Sequence, residues 1–211
     1  MSLDYSEKTP APNDLPNWLW DVVQRVFISA MLGLVVMILM VLAGVGEQPP
    51  LGGLELDQRD TLRIHALAGA HLTEGPSYPV DLPGSIELHL RLQGGPADAG
   101  YGMQIEAGEE TIVWLLNGNR LQAFMGLDAL TLPVRSWRPF PHVRPAGELN
   151  RLRIDASAER LRLWLNDEVA LDLAYGDIDR IEVTPVIDAD ASEDVTLAVE
   201  RLRVWREKPA D

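Results

Sequence analysis

The chain has 211 residues, 46% hydrophobic and 24% charged, a balance that fits one globular domain plus an anchor and excludes a disordered or fibrous protein. Its 32 acidic against 18 basic side chains leave a formal charge of −14, which repels phosphate backbones and argues against nucleic acid as a partner. Cysteine is absent, so disulfides and thiolate metal sites are excluded and the fold depends on core packing.

Residues 26 to 45 read VFISAMLGLVVMILMVLAGV, a run without a charge, Asn, Gln or Pro. At about 1.5 Å of rise per residue such a helix spans the ~30 Å hydrocarbon layer of a bilayer. Trp18 and Trp20 precede it at headgroup depth, and Arg25 marks its N-terminal boundary. The nearest basic residues beyond it are Arg59 and Arg63, which places the N-terminus in the cytoplasm and the larger part of the chain outside. Gly44 and Gly46 form a small-x-small pair that a signal peptidase could accept, but the apolar run exceeds the roughly 7–15 residues of a signal peptide. An uncleaved membrane anchor is therefore expected. Ser29 and Gly33 stand four apart, a spacing that lets two membrane helices approach closely, and are the candidate helix-packing residues. GEQPPLGG then breaks the helix, and so short a linker, reaching under roughly 30 Å, keeps whatever follows near the membrane.

Beyond residue 60 the hydrophobic period becomes two, which predicts strands with one buried and one solvated face. In SIELHLRLQ, Ile86, Leu88, Leu90 and Leu92 point one way and Glu87, His89 and Arg91 the other. TLRIHAL, LNRLRIDA and RLRLWLN repeat the pattern, and YGMQIEA, TIVWLLN, NRLQAFM, EVALDLA, RIEVTPV and VTLAVERLRVW complete about ten strands. Asn117 with Gly118, and Asn166 with Asp167, mark hairpin turns. In the last strand Val195, Leu197 and Val199 have one parity and Leu202 and Val204 the other, so a β-bulge is expected near Glu200 and Arg201. No soluble segment predicts a helix. The expected fold is all-β, an antiparallel two-sheet jelly-roll sandwich preceded by one N-terminal transmembrane helix. The boundaries read as a short cytoplasmic tail (1–17), a transmembrane helix with an interfacial start (18–46), a linker (47–60), a β-sandwich (61–207) and a C-terminal tail (208–211). Two proline-rich loops, 72–84 and 133–148, interrupt the meander.

From about Gly84 to Trp205 the chain resembles the concanavalin A-like lectins and glucanases, in particular their laminin G-like and keto-disaccharide-hydrolase-like branches. The resemblance lies in SIELHLRL, AGYGMQIEA, the Gly-Glu-x-Asn-Arg-Leu-Arg-Ile stretch at 147–154, LRLWLNDEVALDL with its Asn-containing turn, and a closing VERLRVW. It implies a two-sheet jelly-roll used as a binding or spacing module, or as a glycan hydrolase or lectin. Function must then be read from the site.

Glycan hydrolysis needs two carboxylates across a cleft. The resemblance supplies a Glu-x-Asp-x-x-Glu pattern, to which Glu55, Asp57 and Asp60 come nearest, but they depart from it at the last position and lie in the expected linker, where solvated acids suffice. Asp188, Asp190, Glu193 and Asp194 share one loop and are the candidate calcium ligands; otherwise no cofactor is expected. His65, His71, His89 and His142 lack zinc-site spacing, and His65 and His89 read as ordinary surface residues. In the loop VRSWRPFPHVRPAGE, Trp137, Arg138, Phe140, His142 and Arg144 are the candidate contact residues for a partner or ligand, since aromatic and arginine side chains dominate interface hot spots. The bland reading is that this loop caps the sandwich edge. The expected function is a non-catalytic binding or scaffold module held at the membrane, as an accessory subunit whose partner is another membrane protein. A glycan-binding or glycan-hydrolysing domain at the cell surface is the alternative, and a pair of carboxylates on a concave sheet is the feature that would favour hydrolysis.

Overall fold

A computed structural model describes residues 17–42, 48–118, 120–127, 130–174, 176, 178–189 and 193–207; side chains of residues 17, 18, 40–42 and 124–137 are outside the description. The chain divides into two compact units after Gln48. The expected tails fall outside the described residues, except that Asn17 begins the helix; Gly44 and Gly46 also lie outside.

The first unit is α1 (Asn17–Leu42). Its stretch Leu19–Leu39 is long and apolar enough to cross a membrane, a property that a signal sequence shares. Residues 20 to 39 are exposed all round, as befits a helix that is apolar on every face. Ser29 and Gly33 lie one turn apart on it, and a β-carbon added at Gly33 would meet nothing.

The second unit is built of strands: β1 (Gly53–Gln58), β2 (Leu62–Ala66), β3 (Ala70–Glu74), β4 (Tyr78–Asp81), β5 (Gly84–Gly94), β6 (Gly100–Ala107), β7 (Glu110–Asn117), β8 (Arg120–Leu127), β9 (Leu130–Pro139), β10 (Asn150–Ser157), β11 (Arg160–Leu165), β12 (Glu168–Ala174), β13 (Arg180–Ala189) and β14 (Val195–Arg206). Two seven-stranded antiparallel sheets pack face to face. Sheet A runs β1-β14-β5-β10-β11-β12, with β2 also on β14; sheet B runs β3-β13-β6-β7-β8-β9, with β4 also on β13.

Alternation in sequence becomes a shared core. Ile86, Leu88, Leu90 and Leu92 of β5 are buried between Leu152 and Ile154 of β10 and Leu197, Val199, Leu202 and Val204 of β14. Met103, Ile105, Ile112, Trp114 and Leu121 line the facing sheet. The expected bulge is present: the β14–β5 register shifts between Val199 and Arg201, and that extra residue turns Leu202 and Val204 back to the core. Both hairpins form, β7–β8 around Gly118 at φ +56° and β11–β12 through Asn166 and Asp167 at φ +47° and +73°, the left-handed pair that a two-residue turn requires.

Four strands lie where the sequence predicts none. β1 sits inside the expected linker and pairs with the last residues of β14. β3 and β4 occupy the 72–84 loop and share β13, and β9 runs through the start of the 133–148 loop to pair with β8. β1, β3 and β9 are edge strands and β4 is a four-residue piece on β13; β1 is exposed throughout and β3 does not alternate, while β4 alternates but is too short to announce itself. Edge positions are solvated on more sides and tolerate the prolines and glycines that read as loop.

Candidate functional site

The outward face of sheet A carries a lattice of charge. Alternation turns Glu87 and His89 of β5 away from the core, opposite Arg153 and Arg151 of β10 on one side and Arg203 and Arg201 of β14 on the other. One row therefore reads Arg203, Glu87, Arg153, Trp164 across β14, β5, β10 and β11. The next places Ser85 beside Asp155, then Arg162, then Asp172 on β12.

Long side chains lying flat leave this outward face almost dry at its centre. Glu87, His89, Arg153, Asp155 and Trp164 are all buried, which corrects the reading of His89 as an ordinary surface residue. Burying a charge is costly unless it is paired, and here each is. Nε2 of His89 lies 2.7 Å from Oε1 of Glu87, and Nη1 of Arg203 lies 3.3 Å from the same oxygen. Ser85 donates to Asp155 at 2.7 Å, and Arg153 donates to its other oxygen at 3.3 Å. The Arg153 guanidinium also sits 4.6 Å from the centre of the Trp164 ring, with Arg162 at 5.7 Å from it. At the rim, Asp57 takes two bonds of 2.7 Å from Arg201, Asp172 is shared by Arg160 and Arg162, and Arg151 pairs with Asp167.

Burial pushes the Glu87 pKa up, but the His89 bond and the charges of His89, Arg203 and Arg151 outweigh it, so the carboxyl titrates below its ordinary value. An ionised Glu87 only accepts, so His89 is the donor of the pair. The Arg201 bonds hold Asp57 far below the usual carboxylate range, and Arg160 does the same to Asp172 to a smaller extent.

Glu87 and Asp155 are diagonal neighbours across β5 and β10, a relation that sets side chains about 7 Å apart. That is within the range a glycosidase pair uses. The partners of Glu87 hold its carboxyl low, which suits the ionised base or nucleophile of such a pair and not its general acid.

Asp57 and Glu55 are not linker acids. They belong to β1, and Glu55 pairs with Arg206 at 2.9 Å. In the candidate calcium loop, Asp194 accepts from the Ala68 amide at 3.0 Å, Asp188 lies in β13, Glu193 is exposed, and Asp190 lies outside the described residues. Among the described residues no three carboxylates or histidines converge as a metal site would require.

The 133–148 candidates are brought together only in part. Arg138, His142 and Arg144 are exposed, and Phe140 is half-buried against the core with its ring 5.4 Å from that of His142. Trp137 belongs to β9, its side chain outside the description. Asn150, fully buried, accepts from the Arg144 amide at 2.9 Å and donates to the Arg144 carbonyl at 3.0 Å and to the Tyr101 hydroxyl at 2.8 Å. The segment is thus pinned to the end of the sandwich.

No protein-family model matches the chain, and neither does any curated protein. Solved structures do. A functionally unknown protein from Saccharomyces cerevisiae aligns with a TM-score of 0.52 at 8% identity, over 74% of this chain and 96% of that one. The β-glucanase of Bacillus licheniformis aligns at 0.50 and 5% identity, over 74% and 83%. The GlcNAcα1-4Gal-releasing endo-β-galactosidase of Clostridium perfringens aligns at 0.50 and 10% identity, over 64% of this chain and 40% of that one. The fold is a concanavalin A-like sandwich. At these identities the likeness is one of fold alone. The lattice of paired charges on sheet A is what the sequence reading missed. The alternation Ser85, Glu87, His89, Arg91 was the available signal, since four successive outward polar residues on a central strand are more than solvation needs.

Proposed function

We propose that this chain is a non-catalytic binding module, tethered by α1 to a membrane with its N-terminus in the cytoplasm and the sandwich outside, and that the outward face of sheet A is its binding surface. The observation that carries the reading is that both carboxyls of the diagonal pair are buried and engaged by the lattice, Glu87 by His89 and Arg203 and Asp155 by Ser85 and Arg153, and are not presented to a ligand. Arg25 at the start of the apolar run supports the orientation. Glycans are the ligand class most in keeping with the fold, since a β-glucanase and an endo-β-galactosidase share it.

An accessory role in a membrane complex is the second reading. Ser29 and Gly33 favour it, because their spacing allows a partner helix to approach closely. Purifying the full chain in mild detergent, identifying co-eluting proteins by mass spectrometry and assaying oligosaccharides for new reducing ends tests both. Retention of a glycan or a stoichiometric membrane protein without cleavage is the expected result. Turnover of any oligosaccharide would overturn the proposal.

A further inference from the structure

The two edges of sheet B carry opposite charge. Between Glu110 and Glu148 the sequence holds a single acid, Asp128, against Arg120, Arg135, Arg138 and Arg144, in a chain whose formal charge is −14. That stretch includes β7, β8 and the edge strand β9. Arg120 and Arg138 are exposed and, among the described residues, have no carboxylate partner, unlike the arginines of the sheet A lattice. The opposite edge, β3 on β13, carries the exposed Glu74 and the half-buried Asp188, and neither has a cation partner among the described residues. The cations of β3 and β13 are His71 and Arg180, and Arg180 is paired with Glu182 at 3.7 Å toward the far end of β13. Register sets the unpaired charges level. Thr73, Ile187, Tyr101, Leu116, Leu121 and Arg138 form one row from β3 to β9. Glu74 adjoins that row at its acidic end, and Asp188 and Arg120 adjoin it on its other side. Five strand spacings of about 4.8 Å set the two edges about 24 Å apart, beyond the ~8 Å screening length, so they do not neutralise one another within one copy.

We propose that a second copy of this chain docks on these edges, Arg120 and Arg138 of one copy against Glu74 and Asp188 of the next. The contact goes beyond the binding-module reading and uses no residue of the sheet A face. It joins unlike surfaces, so it is heterologous, and copies add in a row until the row closes into a ring. Pro133 and Pro139 deprive β9 of N–H donors, so ion pairs and not a continued hydrogen-bond ladder make the contact. Each exposed pair changes an association constant by no more than about fivefold, so the association is weak and sensitive to salt.

The absence of native cysteine makes the contact open to crosslinking, which traps weak encounters. Pro76→Cys, near Glu74, and Pro139→Cys, beside Arg138, replace exposed residues and leave the four charges in place. The two full-length variants are mixed in mild detergent and oxidised, and melting curves verify that each variant folds. The mixed link between positions 76 and 139 is expected to exceed either like link about fivefold, and to fade in about 0.5 M salt. Adding Arg138→Glu to the Pro139→Cys chain should lower the mixed link about fivefold to tenfold, and adding Glu74→Arg to the Pro76→Cys chain as well should restore it. A mixed link no more abundant than random pairing gives, or one indifferent to R138E, would overturn the proposal and leave the binding-module reading untouched. So would failure of the exchanged charges to restore the link. Like links alone would also overturn it, since copies would then meet through another surface, and no link at all would leave the basic edge to an acidic partner other than this chain.

Discussion

Asn150 and Asn166 meet at the end of sheet A, Nδ2 of Asn166 donating to Oδ1 of Asn150 at 2.8 Å. They are the two asparagines of the motifs Gly-Glu-x-Asn-Arg-Leu-Arg-Ile and Leu-Asn-Asp-Glu, and they act as one knot. Asn166 also donates to the His142 carbonyl at 2.6 Å and accepts from the Arg151 amide at 2.8 Å, while Asn150 ties Arg144 and, across the core, Tyr101 of sheet B. Removing the Asn150 side chain strands the buried Tyr101 hydroxyl and the part-buried groups of Arg144 and Asn166. Asn150→Ala should cost about 3 kcal/mol, or about 6–12 °C in Tm for a domain of this size. A thermal melt checks it, and a loss below 1 °C would mean that the knot is ornamental.

Acid should unfold the sandwich through its lattice. Asp57, Glu87 and Asp172 have depressed folded pKa values, so in acid the unfolded chain binds more protons than the folded one. Their contribution is complete above the unfolded values of about 4 and fades as pH falls below them. Urea midpoints measured from pH 6 to pH 2 should fall steadily under pH 4, and Asp57→Asn should flatten that decline. Unchanged acid sensitivity in Asp57→Asn would contradict it.

At alkaline pH the sign reverses at Tyr101. Burial pushes its hydroxyl up to about 12, offset in part by the Asn150 bond, against an ordinary value near 10. The neutral phenol is the folded form, so stability is full below about pH 10 and is lost as pH rises toward 12. Tyr101→Phe should be less stable at pH 7, having lost that hydrogen bond, but should show a shallower alkaline decline. Parallel declines for both proteins would refute the assignment.

Gly102 of β6 lies between Val186 and Leu115, and a β-carbon there would land on the Trp114 carbonyl. The obstacle is backbone, which cannot swing aside. Gly102→Ala should therefore cost about 1–3 kcal/mol, readable as a lowered urea midpoint. A wild-type midpoint would show that the two strands separate readily at this position.

An anchored chain stays with vesicles through alkaline carbonate washing, and Val36→Arg should reduce insertion by about 2.5–3.5 kcal/mol on a translocon scale. Release of the intact wild-type polypeptide would contradict the anchor.

What the sequence discloses follows from how periodicity encodes burial. Strands with one face in the core, such as β5, β10 and β14, repeat at two and were legible, and so was the bulge that a parity change in β14 requires. Strands β1, β3 and β9 were not, because edge positions relax the alternation, and β4 was not because its four alternating residues are too few to stand out among prolines. At the site, the outward parity of Glu87 and His89 was legible but their burial was not. Burial on an outward face depends on which long side chains neighbouring strands supply, and Arg153, Arg203 and Trp164 reach Glu87 from sequence distances that only pairing reveals.

The Glu87 carboxyl carries the claim that the lattice of sheet A holds its central acid ionised and paired. Its titration, followed by carboxyl carbon NMR on the full chain in detergent, tests that claim directly. A pKa below the ordinary Glu value of about 4.3 is expected from its bonds to His89 and Arg203. A midpoint at about 6–7, where a general acid holds its proton, would contradict it.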